Sequence, residues 1–374
     1  MSTMNFRSSR QRGFTLVELM VGVVIGMLSI LVITQVMTLA EGKKRTVSMG
    51  SDAQVNGALA LFTIQRDIEQ AGYGAVVSPD ALGCVVNYKF GSASASSFTL
   101  APVVIGDGGA ANASDTLTIL QANTTGFSTP MLLTGASAQS DDHFTVASTL
   151  GAATDGLMIA VPVTQDATHA CTLFSVEGAS TNVLSNTNLP HASTSGYGQW
   201  NAGLGTIMPT GGYPNKSYVL NMGAMISRLY AVSSAGNLTT SDLGLTTGTR
   251  PATPPDAYPQ IVMMQALYGK DTDGDGVVDT YNKTAPANNA AWQKVLSIRV
   301  ALVSRSNQYE KDVVTTAAPG WDVGTNTTVA GTTSTCNGSS KCLQLDVSGL
   351  TDWQHYRYKV YDTIIPLRNV LWNN

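Results

Sequence analysis

The feature that most constrains this chain is an apolar run near its start, GFTLVELMVGVVIGMLSILVITQVMTLA, over residues 13–40. Glu18 is the only formal charge between Phe14 and Ala40. As a helix at ~1.5 Å per residue the run reaches ~40 Å, enough to cross a ~30 Å hydrocarbon core. A leader, residues 1–12, precedes it with Arg7, Arg10 and Arg12 and no acid. A secretory signal puts its apolar run before a cut site. Here the polar segment comes first, so any cut falls before the run and leaves it on the mature chain. A carboxylate in such a helix is costly and calls for a partner, or else snorkels to the interface. Charge does not set the orientation, because Lys43, Lys44 and Arg45 follow the run and balance the leader.

Charged residues make up 12% of the chain, about half the usual share, and glycines number 36. This composition, rich also in Ser, Thr and Asn, points to an extracytoplasmic, β-rich body rather than a cytosolic enzyme. A net charge of −4 supplies no basic field for nucleic acid. The four cysteines, Cys84, Cys171, Cys336 and Cys342, suggest two disulfides in an exported chain. Three pairings are open. The short polar loop between Cys336 and Cys342 favours joining those two, and Cys84 to Cys171. No C-x-x-C supports a thiolate metal site.

Past Ala40 the helical pattern continues. Val55, Leu59 and Phe62, with Leu61, Ile64 and Ile68, form a broad apolar face suited to packing on a sheet. Gly42, Gly50 and Gly57 are weak points, and Gly72-Tyr73-Gly74 ends the helix. Gly22 and Gly26 form a G-x-x-x-G pair that permits close helix approach. Short apolar runs between residues 76 and 220 read as strands at irregular spacing. Clear strands are expected over 224–235, 261–268 and 292–305, and along the alternating residues 356–361. Residues 251–259, with four prolines, read as a linker. The organisation expected is a leader (1–13), a membrane helix (14–40), its amphipathic continuation (41–72) and a β-rich body (73–374). The fold class is α+β, a long N-terminal helix packed on an antiparallel β-rich domain.

One local motif carries chemistry. Asp271, Asp273, Asp275, the Val277 carbonyl and Asp279 occupy positions 1, 3, 5, 7 and 9 of a calcium-loop pattern, with Gly276 at position 6. Position 12 is Asn282 rather than a bidentate Glu, and the flanks read as strand and coil. A Ca²⁺ ion held for a structural purpose is expected; a hydrated Asp/Gly turn is the alternative. His143, His169, His191 and His355 lack metal-ligand spacing, and Asp141-Asp142-His143 reads as an exposed loop. The aromatic end, Trp321, Trp353, Tyr356, Tyr358 and Tyr361, reads as core or as a subunit contact. No phosphate loop, nucleophile elbow or zinc signature points to an enzyme.

Gly13-Phe14-Thr15-Leu16-Val17-Glu18, with its leader and apolar run, resembles the type IV prepilin signal G-F-T-L-x-E. The resemblance implies cleavage after Gly13 by a prepilin peptidase and N-methylation of Phe14. It also implies pairing of Glu18 with the new amino terminus of Phe14 in a packed helical bundle, with the leader cytoplasmic and the body outside. Residues 52–74, the tract Gln265 to Asp271 and the ending Tyr358 to Asn369 are similar to the PilW family of minor pilins. That family implies a type IV pilin-like fold and a low-abundance subunit of pilus assembly, in a priming or tip complex. Its partners would be other minor and major pilins, the inner-membrane assembly platform and a tip adhesin. The location implied is the inner membrane, then the surface pilus. Pseudopilins of type II secretion of the J type are similar to PilW but usually have a smaller body. A tip adhesin is the rival from another class, hinted at by long Ser/Thr/Gly loops.

Overall fold

The computed structural model describes residues 13–109, 113–124, 128–165, 169–178, 182–333 and 336–372, with the backbone alone at 43 and 45–53. The leader with Arg7, Arg10 and Arg12 lies outside the described residues. The chain falls into two units, residues 1–51 and 52–374. One helix, α1 (Leu16–Gln70), contributes to both.

In the first unit, Leu16–Gly42 is long and apolar enough to cross a membrane, and none of it is buried. Its hydroxyls bond back to the helix: Ser29 Oγ donates to the Ile25 carbonyl at 2.8 Å, and Thr34 Oγ1 to that of Ile30 at 3.0 Å. Such local bonds satisfy polar groups where lipid offers none. A Cβ on Gly22 or Gly26 would meet nothing within 4 Å. The helix runs unbroken through Gly42, Gly50 and Gly57, so none of these weak points interrupts it.

In the second unit the end of α1 seats on a sheet. Ala60, Ile64, Ile68 and Ala71 are fully buried. Burying each isoleucine is worth about 1.5–3 kcal/mol. The expected stripe of Val55, Leu59 and Phe62 instead faces outward, Phe62 being 61% exposed. The reason lies in side-chain size. A Cβ on Gly57 would fall 2.4 Å from the Tyr361 ring, so helix and sheet come too close there for bulk. The small-residue face, Gly57 and Ala60, therefore wins the contact, with Ile64 and Ile68 in line behind it. The helix ends at Gly72, whose φ of +80° suits glycine and whose N–H donates to the Leu120 carbonyl at 2.7 Å. Asn369 Nδ2 caps the last turn by donating to the Ala71 carbonyl at 2.9 Å.

The seat is a four-stranded antiparallel sheet, in the order β15 (Thr280–Asn282), β14 (Ile261–Lys270), β16 (Val295–Arg305), β20 (Tyr358–Pro366). Both faces of its centre are buried. Met264, Ala266, Ile298, Val300 and Leu302 join Ile64 and Ile68 in one core. Leu267, Ala301 and Val303 pack the other way against Trp321, Val323, Leu343 and Leu345. That second layer is a three-stranded sheet of β17 (Gly320–Gly324), β19 (Lys341–Gln344) and β18 (Thr332–Thr333). Trp321 is fully buried in it, so it is core rather than subunit contact.

A five-stranded antiparallel sheet adjoins the helix, in the order β13 (Asp256–Tyr258), β12 (Leu238–Asp242), β11 (Ile226–Val232), β4 (Thr116–Gln121), β3 (Val103–Gly106). The proline-rich stretch expected as linker thus contains an edge strand. Asp67 clamps α1 to this sheet: its Oδ2 accepts from Arg228 Nη1 at 2.9 Å and from Tyr230 Oη at 2.6 Å. Gln121 lies opposite Ile226, so the chain between them leaves and returns at one point.

The chain between those two residues builds most of a six-stranded sheet. Its order is β2 (Ser96–Thr99), β1 (Val85–Tyr88), β8 (Cys171–Ser175), β7 (Leu157–Val161), β10 (Tyr218–Gly223), β5 (Met131–Leu132). The β1–β8 pair is parallel, which departs from the antiparallel pattern expected. One face of this sheet closes a core of its own, drawn only from residues between Met131 and Val219 and completed by a ladder of β6 (His143–Thr145) and β9 (Asn188–Pro190).

Candidate functional site

The start of α1 is a reciprocal cap. Glu18 Oε2 accepts from the Thr15 backbone N–H and from Thr15 Oγ1, both at 3.0 Å. Thr15 Oγ1 in turn accepts from the Glu18 N–H at 3.2 Å. The Thr15 carbonyl takes the first intrahelical bond, from Leu19 N–H at 3.2 Å. This is the S/T-x-x-E capping box, and it occupies the carboxylate within the chain itself. Sequence reasoning singled out Glu18 but missed Thr15; the signal was the Thr-x-x-Glu spacing at the head of the apolar run. Gly13 and Phe14 precede the helix, and both are exposed, as cleavage there would require.

The acidic loop joins β14 to β15. Carboxylate oxygens of Asp271, Asp273 and Asp275 lie within 4.8 Å of one another. Asp271 is buried and holds the turn by accepting from the N–H groups of Gly274 and Gly276, the latter at 2.9 Å. Those bonds keep its carboxyl below the usual range, with Gly274 the larger influence. Gly274 and Gly276 have φ of +88° and +83°, which the sharp turn requires. Asp279 stands apart: its Oδ2 accepts from the Thr272 N–H at 2.6 Å and from Thr272 Oγ1 at 2.7 Å. Asn282 belongs to β15, where its Oδ1 accepts from Lys270 Nζ at 2.8 Å. The fold therefore gathers three of the five side chains named from the sequence and leaves Asp279 and Asn282 with other partners. The Val277 side chain is exposed, and its carbonyl is the backbone group at position 7.

Both disulfides join the cysteines expected, Cys84 to Cys171 and Cys336 to Cys342. The first ties β1 to β8 where they run parallel. His143 Nδ1 lies 2.7 Å from Asp142 Oδ1; Asp141 and Asp142 are exposed as expected, but His143 is half-buried and begins β6. His191 is buried between Phe144 and Phe174, and desolvation lowers its pKa to about 4, which marks a neutral core histidine.

Comparison with known proteins bears on this architecture. No curated protein matches the chain. Among solved structures it is similar to a type IV-like pilin from Thermus thermophilus, at 10% identity and TM-score 0.32, covering 85% of this chain and 97% of that one. That likeness is too distant to carry an argument. Residues 8–34 match the prokaryotic N-terminal methylation motif, and residues 224–369 match the family described as Type IV Pilus-assembly protein W. The second match contains β14, β16 and β20, on which α1 sits. The chain thus joins an N-terminal methylation motif to a segment that matches the type IV pilus-assembly protein W family.

Proposed function

We propose that this chain is a minor pilin of type IV pilus assembly, a non-enzymatic subunit of a priming or tip complex. It waits in the bacterial inner membrane with its body in the periplasm, then enters a helical fibre through α1. Prepilin peptidase cuts after Gly13 and methylates Phe14. The inner-membrane platform, other minor and major pilins and a tip adhesin are its partners. One observation carries the reading: a capped apolar helix begins just past Gly13, and its far end is seated on the sheet that matches the pilus-assembly family.

The test is a clean deletion of the gene, with surface pili counted by electron microscopy and type II exoprotein secretion assayed in the same strain. Loss of pili with normal secretion is the expected result. Lost secretion with intact pili would move the protein to the J-type pseudopilins. If both survive, the adhesin reading takes over.

Within the same reading, the Asp271–Asp279 loop holds Ca²⁺ as a structural ion. Asp271, Asp273, Asp275 and the Val277 carbonyl would bind it, and the ion would neutralise carboxylates that otherwise repel one another. The support is the close approach of three carboxylates on a turn already set by Gly276. Calcium at a hundredfold over its dissociation constant should stabilise the folded chain by about 2.7 kcal/mol, seen as a higher melting temperature. Asp273→Asn/Asp275→Asn should lose that shift, since these two exposed side chains do not hold the turn as Asp271 does. An equal shift in the variant, or an equal shift with Mg²⁺, would remove calcium from this loop.

A further inference from the structure

A cleft of about 410 Å³ opens between the β1–β2 hairpin and the β11–β12 pair. Tyr88, Phe90 and Phe98 line it with aromatic surface, Ser94 and Ser96 with hydroxyls, and Arg250 with a cation. The aromatic side is rigid. Phe90 meets the fully buried Trp200 edge-on at 5.1 Å, and the Gly248 turn presses so closely that a Cβ there would fall 2.2 Å from the Phe90 Cβ. Tyr88 and Phe98 stand 5.9 Å apart.

Arg250 is the anomaly. Its Nη1 donates to the carbonyls of Ser227 and Ser241, both at 2.6 Å, and its Nη2 to Ser227 Oγ at 2.8 Å. These bonds use both hydrogens of Nη1 and one of Nη2. The edge formed by Nε–H and the second Nη2–H stays free. That edge is the one this chain uses to grip carboxylates elsewhere. Arg228 sets Nε and Nη2 on Asp242, each at 2.8 Å, and Arg357 sets the same atoms on Glu310 at 2.6 and 3.0 Å. Among the described residues Arg250 makes no ion pair, and nearby Asp242 is already taken by Arg228. The free Nε is not sealed in the interior. Desolvation lowers the Arg250 pKa, the cost of a half-buried cation whose own counter-ion is missing.

We propose that this cleft binds an acidic sugar, a hexuronate or sialate unit, with its carboxylate on the free Nε–Nη2 edge of Arg250. A planar carboxylate matches that fork in a bidentate fashion, which a point cation could not specify. The apolar face of a pyranose ring suits Phe90 and Phe98, and its hydroxyls suit Ser94 and Ser96. At about 410 Å³ the cleft has ample room for one such ring. An acidic peptide side chain would satisfy the arginine but would leave the aromatic walls and serine hydroxyls without a use.

The test is calorimetry on the full chain in detergent micelles, with glucuronate, glucose and acetate as probes. Glucuronate should bind with a dissociation constant on the order of 1 mM, with glucose and acetate each at least about tenfold weaker. Arg250→Gln should weaken glucuronate at least about tenfold. Because Arg250 also holds β11 and β12, Ser94→Trp is the second variant: it fills the cleft from an exposed turn, leaves the arginine in place and should also abolish binding. Acetate binding as tightly as glucuronate would mean a bare anion site. A Glu-rich peptide that binds where glucuronate does not would mean a protein carboxylate. Equal binding of glucose, glucuronate binding that survives both variants, or no binding at all would likewise overturn the assignment.

Discussion

Replacing Cys84 and Cys171 with serine should lower the stability of the body by about 4–5 kcal/mol, whereas the same change at Cys336 and Cys342 should cost only about 2–2.5 kcal/mol. The difference follows from the loops closed. Sequence separations of 87 and 6 residues remove very different amounts of freedom from the unfolded chain. Structure adds to the contrast. Cys84–Cys171 crosses the short parallel pair of β1 and β8, where only two residue pairs face each other. Cys342 belongs to β19, which is also held by β17 and β18. Denaturant unfolding of the full chain in micelles, wild type against each double variant, gives both numbers. A larger loss from the short loop would contradict the loop-closure account.

If Glu18 pairs with the Phe14 amine, Glu18→Ala should reduce recovery of the protein in sheared pili at least about tenfold, because a charge pair in a low-dielectric bundle is strong and has no replacement there. The capping box supplies the control that separates charge from helix start. Glu18→Gln keeps an acceptor for the Thr15 N–H and hydroxyl but carries no charge. Thr15→Ala keeps the charge but removes the hydroxyl half of the cap. If pairing with the Phe14 amine is what matters, Glu18→Gln should behave like Glu18→Ala, and Thr15→Ala should lose much less. Wild-type recovery with Glu18→Gln would leave Glu18 a capping residue and nothing more.

The parts of this molecule that could be read from the sequence are those whose physics is local. The apolar run shows itself because lipid imposes length and composition at once. The strand of residues 292–305 shows itself because Ile298, Val300 and Leu302 alternate with Ser297, Arg299 and Ala301, and β16 spans Val295–Arg305. The Asp271 loop is legible because its carboxylates are neighbours in sequence. What was lost depends on distance or on size. Periodicity finds two apolar stripes on the end of α1 but cannot say which one the sheet accepts. That choice rests on Gly57 meeting Tyr361, from the far end of the chain. Residues 306–350 carry no readable alternation because strands such as Thr332–Thr333 are too short to show it, although they cover half of a core. The Arg250 cleft is equally silent in the sequence: its arginine borders a proline-rich stretch, and its aromatic wall comes from around Phe90.

The facing of Gln121 and Ile226 decides how far the stretch between them is independent of the helix mount. The stretch between them leaves and returns through a base closed by the β4–β11 ladder. Closing a flexible loop costs only about 0.6 kcal/mol more for each doubling of its length, so turns within the stretch can lengthen cheaply, but its strands are fixed by the Cys84–Cys171 bond and by a core shared with Val86, Leu100 and Leu120. The residues that seat α1 lie on either side of it, from Ala60 to Ile119 and from Tyr230 to Val370. The family match begins at residue 224, just before the stretch returns at Ile226. The core of Met131–Val219 is thus separate from the helix mount, yet it is moored to the chain outside it by one disulfide and one short parallel strand pair.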